Sequence, residues 1–188
     1  MGYRITKVYT RKGDNGETHL GGGQTVAKDA SRIKAYGTVD ELNSVIGIVL
    51  AFQPSPKVQT ALTEIQHQLF VLGGDLCVLD EDKKKWPMPV IEAAHVDELE
   101  QLIDKLNTEL KPLEDFILPG GTQAAVFLHQ ARCVCRRAER LVVHLSREEK
   151  LGSHVLKYLN RLSDALFVLA RYENFICGNE DVVWRRSQ

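Results

Sequence analysis

The sequence predicts an all-α fold: a five-helix up-and-down bundle preceded by a loop-rich N-terminal arm. Three observations carry that expectation. From Ser31 onward apolar residues recur every three or four positions, the period of a helix face. Turn and capping residues cut this region into five periodic segments. The first thirty residues lack the period and contain Gly13, Gly16 and the run Gly21-Gly22-Gly23, so they read as loops and turns. At 188 residues the chain is read as one domain over 1–188, with the arm at 1–30 and the bundle at 31–177.

Each element follows from local chemistry. Tyr3 to Tyr9 alternates weakly, as a short extended segment does. Ile33, Tyr36, Val39, Leu42, Ile46 and Val49 place a first helix from about Arg32 to Phe52. Ser55 and Pro56 suit a cap and first turn for the second, whose seam is Val58, Leu62, Ile65, Leu69, Leu72 and Leu76. Asp80 to Pro89 is charged and holds prolines, and reads as a loop. Val96, Leu99, Ile103, Leu106 and Leu110 mark a shorter helix that Pro112 stops. Pro119-Gly120-Gly121-Thr122 reads as a turn and cap. It opens a helix through Leu128, Ala131, Cys135, Ala138, Val142 and Leu145. After a break at Gly152-Ser153, Val155, Leu159, Leu162, Leu166, Leu169 and Ile176 carry the last one.

Composition narrows the function classes. Hydrophobic residues are 44% and charged residues 26%, which disfavours disorder. A formal net charge of −1 argues against a nucleic-acid or membrane-surface binder. The opening residues lack the apolar core of a signal peptide, and no apolar run can span a bilayer, so a cytoplasmic location is expected. Cys77, Cys133, Cys135 and Cys177 form no CxxC pair and read as small buried hydrophobes in a reducing compartment.

Two features bear chemistry. Arg132, Arg136 and Arg140 are four apart, along one face of the fourth helix, with Arg137 and Glu139 beside them. Such a row is a solvated face, a face paired with acids of another helix or subunit, or an anion site where guanidinium forks grip phosphate oxygens. The arm offers matching groups. Gly13 and Gly16 allow close backbone approach, Arg11 and Lys12 carry charge, and Thr10, Asp14 and Thr18 offer oxygens to phosphate or Mg²⁺. There is no Walker A motif and no GxGxxG.

Five ordered blocks give the chain a resemblance. They are Thr10 to Thr18 (TRKGDNGET), Ala35 to Asn43 (AYGTVDELN), Phe116 to Thr122 (FILPGGT), Arg136 to Arg140 (RRAER) and Asn160 to Asp164 (NRLSD). Together they resemble the PduO-type ATP:cob(I)alamin adenosyltransferases, from Tyr9 to about Asn174. The departures lie in the loop from Asp80 to Pro89 and at the C-terminus. The resemblance implies a five-helix bundle forming a homotrimer with ATP bound between subunits. It implies transfer of the 5′-deoxyadenosyl group of ATP to the cobalt of reduced cobalamin, with release of tripolyphosphate. It assigns Thr10, Arg11, Lys12, Gly13, Asp14, Gly16 and Thr18 to the triphosphate, joined by Lys28. Arg136, Arg137, Glu139, Arg140 and Asn160 complete the nucleotide site, with Glu139 toward Mg²⁺. Asp40 and Arg132 resemble a pair meeting across the subunit interface. Phe116 resembles the aromatic residue set against the lower face of the corrin; the alternative is a plain core aromatic.

That chemistry suits a chain with no evident nucleophile or base of its own, because cob(I)alamin is the nucleophile. Arg136 and Arg140 would stabilise the leaving group, and Phe116 would keep a lower ligand off cobalt. A flavin-type reductase and an adenosylcobalamin-dependent enzyme are the expected partners, and the same residues would serve a carrier that delivers the product. A di-iron bundle is the enzyme rival, through Glu64 with His67 and Glu92 with His95. The first pair falls off the helix seam and the second lies at or before a helix start. An RNA-binding helix lacks stacking aromatics beside the arginines.

Overall fold

A computed structural model describes Tyr9 and residues 11–185. The extended reading of Tyr3 to Tyr9 falls almost wholly outside the described residues, as does Thr10. Five long helices form the body: α1 (Ser31–Ala51), α2 (Pro56–Cys77), α4 (Ala93–Asn107), α5 (Gln123–Leu145) and α6 (Val155–Ile176). The predicted loop after α2 contains one short helix, α3 (Asp80–Lys83), whose first turn is acidic as a helix N-terminus favours. The arm departs from pure loop. Glu17–His19 (β1) and Thr25–Ala27 (β2) pair antiparallel, Thr18 opposite Val26. The intervening glycines make the reversal, with Gly23 at a φ of 91°.

Consecutive long helices alternate in direction. Asn43 meets Gln66 and Arg32 meets the Leu76 carbonyl, so α1 and α2 are antiparallel. Phe52 stacks on Phe127 at 5.4 Å while Glu41 pairs with Arg137, so α5 runs against α1. Asn160 reaches Glu139 while Phe167 meets His129, so α6 runs against α5. Arg161 with Glu100 and Tyr172 with Glu109 set α4 parallel to α6. The predicted α2 seam is buried throughout, as are the α5 positions named above. Ile176, by contrast, is exposed at the frayed end of α6. Tyr158 is fully buried, and its hydroxyl donates to Gln68 Oε1 at 2.9 Å; burial raises its pKa.

Two local expectations fail for identifiable reasons. Ser55 does not cap α2 through its side chain; its backbone N–H donates to Glu173 Oε2 of α6 at 2.9 Å instead. Thr122 does cap α5, accepting from the Ala125 N–H at 3.1 Å. Of the four cysteines only Cys135 is buried, while Cys133 and Cys177 are exposed. Residues two apart on a helix face opposite ways, so Cys133 and Cys135 cannot share the core. Burial pushes the Cys135 thiol far up, which suits a core residue and not a nucleophile. Among the described residues no helix is long and apolar enough to cross a membrane.

Candidate functional site

The arginine row lies on the outer face of α5, beside the buried stripe of Ala131, Cys135 and Ala138. Its members differ in their neighbours. Arg137 pairs with Glu41 of α1, so for this residue the paired-face reading holds. Arg136 and Arg140 are exposed and, among the described residues, form no ion pair. Glu139 is half-buried beside them, and its Oε1 accepts from Asn160 Nδ2 at 3.1 Å. Asn160 Oδ1 in turn accepts from Arg161, which Glu100 of α4 holds at 2.6 Å. This chain of contacts fixes the orientation of the Asn160 amide.

One to two turns earlier on α5, Arg132 packs against the Phe167 ring at 6.0 Å. Its Nε is buried and has no hydrogen-bond partner among the described residues. Among the described residues no hydrogen bond or ion pair joins it to Asp40, which is exposed on α1. Arg132 and Phe167 form one wall of a cavity of about 560 Å³. The other wall is the loop of Leu113 to Ile117, including Phe116. Phe116 is 75% exposed, which rules out the plain core aromatic. Beneath the cavity His129, 4% exposed, meets Phe167 edge-on, and desolvation lowers its pKa with help from Arg132. At 1.5 Å per residue the axis from Arg132 to Arg140 covers about 12 Å. Cavity and cation row are therefore one strip along a single helix.

The arm is a separate cluster at the N-terminal end of α1. The hairpin register lets the Lys28 N–H donate to Gly16 O at 2.9 Å. That places the Lys28 ammonium over Gly13, where a Cβ would lie 3.0 Å from Nζ. Lys28, Gly13 and Gly16 thus converge, with Arg11, Lys12 and Asp14 on the same loop and Thr18 in the adjoining β1. Arg11 holds a φ of 61°, a left-handed conformation that costs a non-glycine residue about 1 kcal/mol. The hairpin docks on the bundle by the Gly21 N–H to Cys77 O at 3.0 Å and by Gln24 to Asp82. Among the described residues, no hydrogen bond or ion pair joins this loop to the α5 arginines of the same chain. The di-iron pairs do not assemble: Glu64 and His67 are exposed, and His95 caps α4 by accepting from the Glu92 N–H.

Three anchors that the sequence reading did not single out hold the Phe116 loop. Asn174 of α6, 3% exposed, donates to Gly120 O at 3.0 Å and accepts from the Thr122 N–H at 3.0 Å. Gly121 has a φ of 101°, and a Cβ there would fall 2.0 Å from Asn174 Oδ1. The tail pairs with the loop: Leu118 donates to Val182 O, and Trp184 donates to Phe116 O, both at 2.8 Å. Arg171, 7% exposed, donates to Asp181 Oδ2 at 2.7 Å and to Lys111 O at 2.8 Å. A buried arginine and asparagine near the end of the last helix were the only available signals.

Fold and site together define a helical-bundle protein whose unneutralised arginines adjoin an aromatic cavity. The sequence model of the cobalamin adenosyltransferase family matches residues 8–173. A cobalamin adenosyltransferase of Cupriavidus metallidurans is 46% identical over 189 residues, covering 100% of this chain and 99% of that one. A corrinoid adenosyltransferase of Bacillus subtilis is 47% identical over 185 residues, covering 96% and 93%. Among solved structures, a phenylalanine-to-alanine variant of a PduO-type ATP:corrinoid adenosyltransferase from Lactobacillus reuteri, complexed with cobalamin and ATP, superposes with a TM-score of 0.90. It is 41% identical and the match covers 96% of this chain and 100% of that one. The chain belongs to the cobalamin adenosyltransferase family.

Proposed function

We propose that this chain is an ATP:corrinoid adenosyltransferase, which moves the 5′-deoxyadenosyl group of ATP onto the cobalt of cob(I)alamin. The observation that carries the residue assignment is the strip on α5, where exposed, unpaired Arg136 and Arg140 continue directly from the cavity beside Phe116. In the reaction the cobalt electron pair forms a bond to C5′. The C5′–O bond breaks, and its pair leaves on tripolyphosphate. The charge that develops on that oxygen is what Arg136 and Arg140 stabilise, each such donor being worth about 3 kcal/mol. Arg11, Lys12, Gly13, Asp14, Gly16, Thr18 and Lys28, with Thr10, hold the triphosphate from the arm. Asn160, set by Arg161, orients the nucleotide. Arg137 is a peripheral member of the site because Glu41 already neutralises it.

Phe116, exposed over the cavity, occupies the lower face of the corrin and keeps a ligand from cobalt, which eases reduction of cob(II)alamin by a flavin-type reductase. Glu139 offers the single carboxylate that Mg²⁺ takes when phosphate oxygens supply the rest of its shell, and the ion would screen the triphosphate charge. Because the arm and the α5 arginines do not meet within one chain, each is half of a site completed by a neighbour. The family resemblance gives that assembly as a homotrimer, with Asp40 joined between subunits to Arg132, whose Nε has no hydrogen-bond partner among the described residues.

The test is to mix the protein with ATP, Mg²⁺ and chemically reduced cobalamin in the dark. Growth of the light-sensitive adenosylcobalamin spectrum with stoichiometric tripolyphosphate is the expected result. Bound ATP without either product would overturn the reading.

A further inference from the structure

We propose that Arg171 and the extended tail segment 181–184 are the positioning device for Phe116, an inference that rests on the corrin-facing role given to that residue above. Phe116 has no core packing to hold it, being three-quarters exposed on an irregular loop. What restrains it is backbone pairing. Its carbonyl accepts from the Trp184 N–H, Leu118 N–H donates to Val182 O, and Ile117 bridges Val183 antiparallel. A single bridge with two flanking hydrogen bonds is marginal on its own in water, as even a two-stranded hairpin is. The pairing therefore depends on something that fixes both segments, and Arg171 does so. Its buried guanidinium donates through Nε to Asp181, at the start of the tail segment, and through Nη2 to Lys111 O, at the start of the Phe116 loop. One fork ties both segments to α6, the helix that also carries Phe167 on the opposite wall of the cavity. The distance between the two aromatic walls is thus set from a single helix, by this guanidinium at one end of the loop and the Asn174 amide at the other. A second cavity of about 620 Å³, lined by Leu118 and Asp181 to Arg185, lies along the tail segment. It leaves the loop with room to shift if the fork is lost.

Weakening the fork should release Phe116 without touching the triphosphate groups. The variants are Asp181→Asn, Arg171→Lys and a chain ended after Glu180, each also combined with Phe116→Ala. Three quantities are measured on the full assembly with ATP bound: ATP affinity, the fraction of cob(II)alamin held four-coordinate by electron paramagnetic resonance, and transfer from pre-reduced cob(I)alamin. Asp181→Asn and the shortened chain should lower the ratio of four- to five-coordinate cob(II)alamin about tenfold, the scale of one lost charge-assisted hydrogen bond. ATP affinity should stay unchanged, and transfer from pre-reduced cobalamin should fall much less. Arg171→Lys should give an intermediate value, since a point charge cannot serve two acceptors as a fork does. In the Phe116→Ala background none of these changes should lower the ratio further.

If Asp181→Asn and the shortened chain keep the wild-type ratio while Phe116→Ala loses it, the positioning role is wrong and the adenosyltransferase reading stands. Proportional loss of ATP affinity and all rates, additive with Phe116→Ala, would show a merely structural ion pair and also overturn it. No adenosylcobalamin from the wild-type protein would instead strike at the function itself, before any variant is read.

Discussion

Arg136, Arg137 and Arg140 carry the same side chain within two turns of α5, yet their surroundings separate them. Glu41 neutralises Arg137, whereas Arg136 and Arg140 have no acid partner among the described residues. Arg136→Ala and Arg140→Ala should each lower turnover on the order of 10²-fold or more, the scale of one lost charge-stabilising donor. Lysine at either position should rescue poorly. Arg137→Ala should cost less than either, because it removes an exposed pair worth about 0–1 kcal/mol. Steady-state rates at saturating and limiting ATP check all three, and wild-type turnover in both Arg136→Ala and Arg140→Ala would return the row to a merely solvated face.

His129 makes a prediction about pH. Desolvation and Arg132 hold its folded pKa below the ordinary 6.5, with Asp181 opposing. Below pH 6.5 the unfolded chain binds a proton that the folded chain refuses, so stability falls as pH drops toward the folded value. The slope from this one group is at most about 1.4 kcal/mol per pH unit. Thermal unfolding of the wild type should shift to lower temperature between pH 7 and pH 5. His129→Phe should flatten that shift. An unchanged slope would mean that other groups govern the acid limb.

Among the elements, the turn before α5 is the most exacting. Gly121 combines a positive φ with a Cβ direction aimed into Asn174. Gly121→Ala should therefore destabilise the fold by about 2 kcal/mol or more, through backbone strain and the displaced amide. Asn174→Ala leaves the Thr122 N–H and Gly120 O without their buried partner and should cost about 1–3 kcal/mol. Urea unfolding measures both, and a loss under about 0.5 kcal/mol in each would show that the turn holds itself. The Thr122 cap, the glycine turn and every seam residue of α2 were legible in the sequence, because each is decided by neighbours within a few positions. Ser55 was not: its N–H bonds Glu173, a partner more than a hundred residues away. The arm hairpin was hidden because three-residue strands give too little alternation to read among glycines.

At the scale of the whole molecule, bundle order and direction follow from five periodic segments and the short links between them. The tail's return to the Phe116 loop does not, since a two-residue bridge leaves no periodic trace. The blocks that carry the family likeness also contained most of the candidate site, but not Arg171, Asn174 or Asp181. They could not show that arm and arginine row stay apart within one chain. The expected assembly is a homotrimer, to be seen as a trimer mass by sedimentation at micromolar concentration. Asp40→Ala should weaken that assembly or ATP affinity. A fully active monomer would overturn the shared-site arrangement.

The single strip on α5 also makes the helix a gauge that tolerates substitutions better than changes of length. Each residue advances the backbone by about 1.5 Å and turns it by about 100°. One residue inserted between Arg132 and Arg136 would leave the cavity wall in place and swing both downstream guanidiniums off the strip. Seven inserted residues would bring them back to nearly the same face. They would then stand about 10 Å farther from the cavity, beyond the reach of any single carbon–cobalt bond. Relatives that keep this chemistry should therefore vary in the loops at either end of α5 and keep the stretch from residue 132 to 140 at constant length.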